Sequence, residues 1–238
     1  MIARDQPLEI GSLLFDGLDQ IDLTGPFEVL CRIPNSTYRI YGLTADPVRD
    51  VKGLRLTPDA VIGEAPQLDV LHIPGGPGQE ALMEDEAVLG WVRGQAAGAQ
   101  IVFSVCTGAL ICGAAGLLKG RRATTYRAAA HLLPYFGATA VDARVVVDGT
   151  LVCTAGVTAG IDGALKLAAM LRGVEVAETI QLYMQYAPEP PFNAGSPETA
   201  PPQVVEAVWA SAAEIMARRA VTARVVAKRL GIALPQDA

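Results

Sequence analysis

The chain has 238 residues, 51% of them hydrophobic, 18% charged and 5% aromatic, with a formal net charge of −6 and a pI of about 5.0. An acidic chain excludes general nucleic-acid binding, which needs a basic face. Mean hydropathy is +0.31, yet no apolar stretch reaches the ~18 residues of a membrane span. The excess is Ala, Val and Leu, the residues of buried parallel strands and close helix packing. A single α/β domain spanning 1–238 is expected, with a core large enough to need no disulfide or metal staple. The segment MIARDQPLEIGSLLF lacks the basic start and long apolar core of a secretory signal, so a cytoplasmic protein is expected.

Apolar runs alternate with amphipathic ones. Ile10–Phe15 reads as a first strand, followed by a helix over Leu18–Cys31 with Thr24 as N-cap and Pro26 in the first turn. Tyr38–Leu43 is a second strand and Leu54–Thr57 a short one. Leu68–Pro74 is a third main strand that ends at Gly75-Gly76. Ala87–Ala97 is helical. Gln100–Val105 is continuously apolar, as a strand buried on both faces would be, and Thr107–Leu117 is a helix of small residues. Arg122–Thr125 is a short strand and Ala128–Tyr135 a helix. Arg144–Val147 and Leu151–Thr154 flank Asp148-Gly149, a hairpin turn. Val157–Tyr186 is a long helical pattern with a break at Arg172-Gly173. Residues 187–202 hold six of the sixteen prolines and form a loop, and two helices, Gln203–Arg219 and Thr222–Leu230, follow in the segment 203–238. Strands alternating with helices imply a mostly parallel sheet covered on both faces, with a hairpin appended.

The four cysteines (Cys31, Cys106, Cys112, Cys153) include no CxxC pair, and His72 and His131 show no zinc-binding spacing. The question is therefore whether any cysteine does chemistry without the usual histidine. In IVFSVCTGALICGAAGLL a buried strand ends at Cys106 and a helix begins at Thr107-Gly108. This is a strand–nucleophile–helix turn, and it places the side chain at the carboxyl end of the sheet. The helix N-terminus favours thiolate, so a thiol pKa below its free value of about 8.5 is expected. The other reading of Cys106 is a buried thiol packed as a small hydrophobe. Packing is the expected role of Cys31, Cys112 and Cys153.

IPGGPG, residues 73–78, follows a strand. Its glycines either make a plain turn or aim backbone N–H groups into a crevice beside Cys106. Asp22 lies between Ile21 and Leu23, either as a capping carboxylate or as an acid–base group whose pKa burial would raise. His72, inside an apolar strand, reads as structural, and His131 as a helix residue near the surface.

The segments LLFDGLDQIDLTGPFEVL, LHIPGGPG, SVCTGALICGAAGLLKGRRATT, VTAGIDGALKLAA and YAPEPPFNAGSPETAP resemble the isonitrile hydratase family. That family belongs to the ThiJ/PfpI superfamily, with a flavodoxin-like three-layer fold of the class I glutamine-amidotransferase type. The resemblance runs from about residue 8 to 230. The elbow and the Gly-Gly motif mark the superfamily, whereas QxDLTGP together with the Pro-rich loop is specific to the hydratases. The resemblance implies hydration of an isonitrile to an N-substituted formamide, with Cys106 as nucleophile and Asp22 as the carboxylate that activates water. It places Thr107, Gly75, Gly76 and Val157 around a small apolar substrate. It also implies a homodimer and no metal, nucleotide or flavin.

Two departures stand out. Many superfamily members carry His after RRATT, where this chain has Tyr126 and then Arg127, which disfavours Cys–His hydrolysis. Val157 stands where relatives often have Ile, within TAGVT rather than GGGIT. The alternatives are a cysteine-dependent glyoxalase, deglycase or redox sensor, and a regulatory ligand-binding domain. Against the last, only 36 residues follow Pro202, too few for a pair of helix-turn-helix units, and Arg218, Arg219, Arg224, Lys228 and Arg229 read as a solvated helix face.

Overall fold

Ile101–Val105 carries Ile, Val, Phe, Ser and Val in succession, and all five are buried. A strand with no polar face belongs in the middle of a parallel sheet covered on both sides. The computed structural model, which describes residues 6–233, places it there.

In chain order the strands are β1 (Leu8–Leu14), β2 (Ser36–Gly42), β3 (Val48–Arg49), β4 (Arg55–Leu56), β5 (Ala60–Val61), β6 (Val70–Ile73), β7 (Ile101–Val105), β8 (Arg122–Ala123), β9 (Thr139–Ala140), β10 (Val145–Asp148) and β11 (Leu151–Thr154). The helices are α1 (Gln20–Leu30), α2 (Gln79–Leu82), α3 (Glu86–Gly98), α4 (Gly108–Ala114), α5 (Ala159–Arg172), α6 (Val174–Tyr183) and α7 (Pro202–Arg229). Seven strands form the main sheet in the order β10-β11-β7-β6-β1-β2-β5. Every pairing in it is parallel except the β10–β11 hairpin at one edge. The expected α/β architecture, flavodoxin-like with helices on both faces, is the one observed.

The period-2 alternation of side chains divides the core in two. Ile10, Val70, Phe103 and Val152 face α1 and α5, while Leu71, Val102 and Leu151 face the layer of α3, α4 and α7. Each such side chain, once fully buried, contributes roughly 1.5–3 kcal/mol before chain entropy is subtracted.

Several local expectations are corrected. The α1 helix is capped by Asp19, whose Oδ1 accepts the Ile21 N–H at 3.3 Å, so Thr24 lies inside the helix rather than at its cap. Thr24 Oγ1 instead donates to Gln20 Oε1 at 2.8 Å, one turn back. Residues 127–136 wind as a 3-10 rather than an α-helix. Pro134 has no N–H to donate, and its ring crowds the preceding turn. The long pattern from Val157 starts as helix only at Ala159 and breaks at Gly173, where φ is +95°.

The two expected terminal helices are one helix, α7. No Gly or Pro interrupts residues 203–229, and one buried stripe (Arg219, Thr222, Ala223, Val226, Ala227) crosses the supposed junction. No described helix is long and apolar enough to cross a membrane.

Candidate active site

The site lies at the carboxyl ends of β6 and β7, neighbouring parallel strands in the middle of the sheet. Open α/β sheets bind ligands at this end.

Cys106 follows β7 directly and has φ +54°, a left-handed conformation that is costly for a residue with a Cβ. The surrounding structure enforces it. Its N–H is shared between the carbonyls of Thr154 and Ala155, at 3.2 and 3.1 Å. Its own carbonyl accepts the Thr125 hydroxyl at 2.7 Å. The turn throws the thiol to the start of α4, where the backbone N–H groups of Thr107 and Val157 donate to sulfur. Val157 is itself at φ +39°.

Gly108 permits this closeness, because a Cβ there would stand 2.1 Å from the Ile73 carbonyl oxygen. Gly75 does the same on the other side. A Cβ would meet Thr107 N at 2.5 Å and Asp22 Oδ2 at 2.9 Å.

Asp22 is fully buried on the first turn of α1. Since Asp19 supplies the cap, Asp22 is free of that duty. Its Oδ2 accepts the Gly75 N–H at 3.0 Å, its Oδ1 is buried without a well-formed hydrogen bond, and the carboxyl interacts with the Cys106 thiol. Burial, helped by the Asp19 charge, pushes the Asp22 pKa up to about 7, against the opposing pull of the Cys106 and Gly75 contacts.

The expectation of a lowered thiol pKa is overturned. Burial, followed by the negative charge of Asp22, pushes the Cys106 thiol up, and these outweigh the Thr107 and Val157 N–H groups at the helix start. The resting pair therefore holds its protons close together, and Asp22 is the group that titrates near neutrality.

Thr107 and Gly76 complete the loop. Gly76 N donates to Thr107 Oγ1 at 3.0 Å. Of the sequence-predicted residues, Cys106, Asp22, Thr107, Gly75, Gly76 and Val157 thus come together, through direct contacts between Asp22, Gly75, Thr107, Gly76 and Val157 and the thiol turn.

The other candidates lie elsewhere. His72 is buried, receives or gives a hydrogen bond at Nδ1 to the Tyr38 hydroxyl at 2.9 Å, and stacks on Phe103. Burial lowers its pKa to about 3, so it is a neutral structural residue. His131 is exposed, as is Cys31, while Cys112 and Cys153 pack in the core. Among the described residues, no group of three or more His, Cys, Asp or Glu is placed to hold a metal ion.

A cavity of about 1070 Å³ reaches the residues that hold Cys106, and Thr125, Tyr126, Gly156 and Val157 line it together with Val208 and Trp209 of α7. Tyr126 occupies the position where a His was weighed, its ring beside Gly156 and half-buried. Arg127 forms ion pairs with Asp142 and Glu198 along the cavity lining.

Thr125 and Arg219 escaped the sequence reading. Arg219, expected on a solvated basic face, is only 3% exposed, and its Nη2 donates to the Gly76 carbonyl at 2.8 Å. A signal was available: Arg219 lies three, four, seven and eight residues before Thr222, Ala223, Val226 and Ala227, on the buried stripe of α7.

A parallel sheet with a strained cysteine at the turn from strand to helix, beside a buried carboxyl, defines the class: an α/β protein with a buried cysteine–carboxyl pair at the carboxyl end of its sheet. Residues 10–170 match the DJ-1/PfpI family, and the chain belongs to that family. It is 49% identical over 222 residues to an isonitrile hydratase of Pseudomonas putida, covering 93% of this chain and 97% of that one. Among solved structures it is similar to a ThiJ/PfpI family protein of Pseudomonas syringae, with a TM-score of 0.89 and 39% identity over 92% and 91% of the two chains. Drosophila melanogaster DJ-1beta, at 23% identity and a TM-score of 0.71, shares the fold while covering 77% of this chain and all of its own.

Proposed function

We propose that this protein is an enzyme that hydrates isonitriles, converting R–N≡C and water into R–NH–CHO. The observation that carries it is the buried Cys106–Asp22 pair with no imidazole at the thiol, in a chain 49% identical over nearly its whole length to an isonitrile hydratase. A Cys–His hydrolase needs an imidazole at the thiol. Of the two histidines in the chain, His72 is engaged with Tyr38 and Phe103, and His131 faces solvent.

The chemistry follows from proton placement. Asp22 delivers a proton to the terminal isonitrile carbon while Cys106 sulfur bonds to that carbon. The thiol proton passes to Asp22, leaving a thioimidate, R–N=CH–S. Water attacks the same carbon, and Asp22 passes its proton to the nitrogen as it takes one from the water. The tetrahedral adduct then breaks its C–S bond, the hydroxyl proton returns to sulfur by way of Asp22, and the formamide leaves. A carboxyl that titrates near 7 exchanges protons in both directions at neutral pH. Thr107, Gly75 and Gly76 order the loop around the reacting carbon, and Val157 directs its N–H at sulfur.

The substrate we infer is small and apolar. Val157, Val208 and Trp209 face the cavity, and the Arg127 charge is already met by Asp142 and Glu198. The 1–238 chain acts as one domain, a reading supported by the contact of α7 with the Gly76 loop. A homodimer is supported by the exposed apolar residues Val221 and Val225 on α7, outside the cavity, and a cytoplasmic location by four unpaired cysteines.

The test is formamide formation from cyclohexyl or para-nitrophenyl isonitrile. Wild type turns the substrate over, and Cys106→Ala and Asp22→Asn abolish turnover. Undiminished activity of Cys106→Ala overturns the mechanism, and consumption of methylglyoxal with no isonitrile turnover overturns the substrate class.

A further inference from the structure

Among the described residues two arginines are buried, and their surroundings differ. The Arg172 guanidinium is met by three backbone carbonyls, those of Pro34, Gln6 and Leu171. Such an arginine ties segments together. Arg219, on α7, is bound differently. Its Nη2 donates to the Gly76 carbonyl at 2.8 Å and to Thr107 Oγ1 at 3.4 Å, Nη1 touches Met216 sulfur at 3.9 Å, and Nε is buried with no partner. No carboxylate among the described residues forms an ion pair with it. A buried cation without a counter-ion is costly, so its complement must come from a group that becomes negative nearby.

The residue it touches, Thr107, immediately follows Cys106, so the guanidinium lies one residue from the thiol turn, with Cys106 and Glu80 as the groups of opposite charge that would meet it. Glu80 is otherwise occupied by the Thr222 hydroxyl at 2.8 Å and faces Arg218.

The contacts have a second consequence. Thr107 Oγ1 already accepts the Gly76 N–H, and the Gly76 carbonyl already accepts Arg219 at 2.8 Å, leaving only a long 3.4 Å path from the hydroxyl to that carbonyl.

Resting on Cys106 as nucleophile, we propose that Arg219 is a positioning residue of this site. It orients the Thr107 hydroxyl and the Gly76 carbonyl, and it supplies positive charge against the negative charge that develops on the Cys106 sulfur as its proton leaves. Arg219 lies beyond residue 170, where the family match ends, so this support comes from a helix outside the shared family core.

The groups that face the thiol are Asp22 on α1, the Thr107 and Val157 N–H groups, Tyr126 before the 3-10 helix and Arg219 on α7; Asp19 and the neutral His72 lie against Asp22, and Glu80 and Arg218 against Arg219. Of these, Arg219 is the buried cation.

The experiment is the pH dependence of Cys106 alkylation by iodoacetamide, resolved by mass spectrometry so that exposed Cys31 does not contribute, in wild type, Arg219→Gln and Arg219→Lys. This readout does not depend on which substrate the enzyme turns over. Gln retains a donor without the charge, and Lys retains the charge without the fork. Arg219→Gln should slow alkylation of Cys106 about tenfold at pH 7.5 by moving the profile upward about one pH unit, and Arg219→Lys should recover most of that loss. Superimposable profiles for wild type and Arg219→Gln, or equal defects in the Gln and Lys variants with native circular dichroism, overturn the proposal. If Arg219→Gln does not fold, a profile for Arg219→Lys displaced by as much as one unit overturns it, and a near-native profile supports it. A Cys106 that resists alkylation in wild type while isonitrile turnover persists instead overturns the nucleophile on which the proposal rests.

Discussion

Asp22 Oδ2 accepts the Gly75 backbone N–H at 3.0 Å, which ties a carboxyl on the first turn of α1 to the loop after β6 instead of to its own helix. The helix has its own cap in Asp19, so the buried carboxyl adds nothing to helix initiation. A group buried in this way, beside a thiol and with one oxygen unpartnered, sits there at a cost to folding.

That cost has a sign and a pH window. The Asp22 pKa is about 7 in the folded protein and near 3.9 in an unfolded chain. Below about pH 4 both states bind the proton and the carboxyl is best tolerated. As pH rises from about 4 through 7, the unfolded state releases the proton first and stability falls. Asp22→Asn, which keeps an acceptor for Gly75, should therefore be more stable than wild type at pH 8 by an amount on the order of 3 kcal/mol, with the gap closing at pH 4. Urea unfolding at the two pH values measures this, and a variant no more stable at pH 8 than at pH 4, relative to wild type, contradicts it.

Gly75 has no room for a methyl group. Gly75→Ala should push the loop away from Thr107 N and Asp22 Oδ2, which lie 2.5 and 2.9 Å from the added carbon. Misplacement on the scale of 1 Å costs about a hundredfold in rate. Isonitrile hydration should fall by about that factor in kcat/KM while the far-ultraviolet circular dichroism stays native. Full activity in the alanine variant would show that the loop yields at no cost.

Thr125 holds the strained turn from below, its hydroxyl 2.7 Å from the Cys106 carbonyl. Thr125→Val is close in volume but leaves that buried carbonyl without its donor, at a cost of about 1–3 kcal/mol. Equilibrium denaturation should show a loss in that range, together with faster alkylation of Cys106 as the turn loosens. Unchanged stability would assign the strain at φ +54° to other contacts.

Trp209 forms part of the cavity wall. Trp209→Ala should raise KM for para-nitrophenyl isonitrile about tenfold, the loss of one aromatic contact, and leave methyl isonitrile nearly unaffected. Steady-state kinetics on the two substrates decides it, since an equal effect on both would place Trp209 outside the path of the bulky group.

Cys106 was recognisable from sequence because the turn that carries it is local: an apolar strand, the nucleophile and a small-residue helix are consecutive in the chain. The Gly75-Gly76 loop was recognisable for the same reason, and strand adjacency brought it to Cys106. The α1 cap was misplaced because Asp19, Asp22 and Thr24 are all credible caps within six residues, and only the start of the helix selects Asp19. Arg219 was missed because four other basic residues near it suggest a wet face, and its burial depends on where α7 packs.

The sequence by itself determined the alternation of strands and helices, the cysteine at a strand end and the scarcity of histidine, since each is a property of neighbouring residues or of composition. Only the tertiary structure decided that Asp22 is fully buried, that Cys106 carries a raised rather than a lowered pKa, and that Arg219 reaches Gly76 from 143 residues away. The physical reason is that a pKa follows from the balance of desolvation against nearby charges and donors. That balance exists only once segments distant in the chain have closed water out of the site.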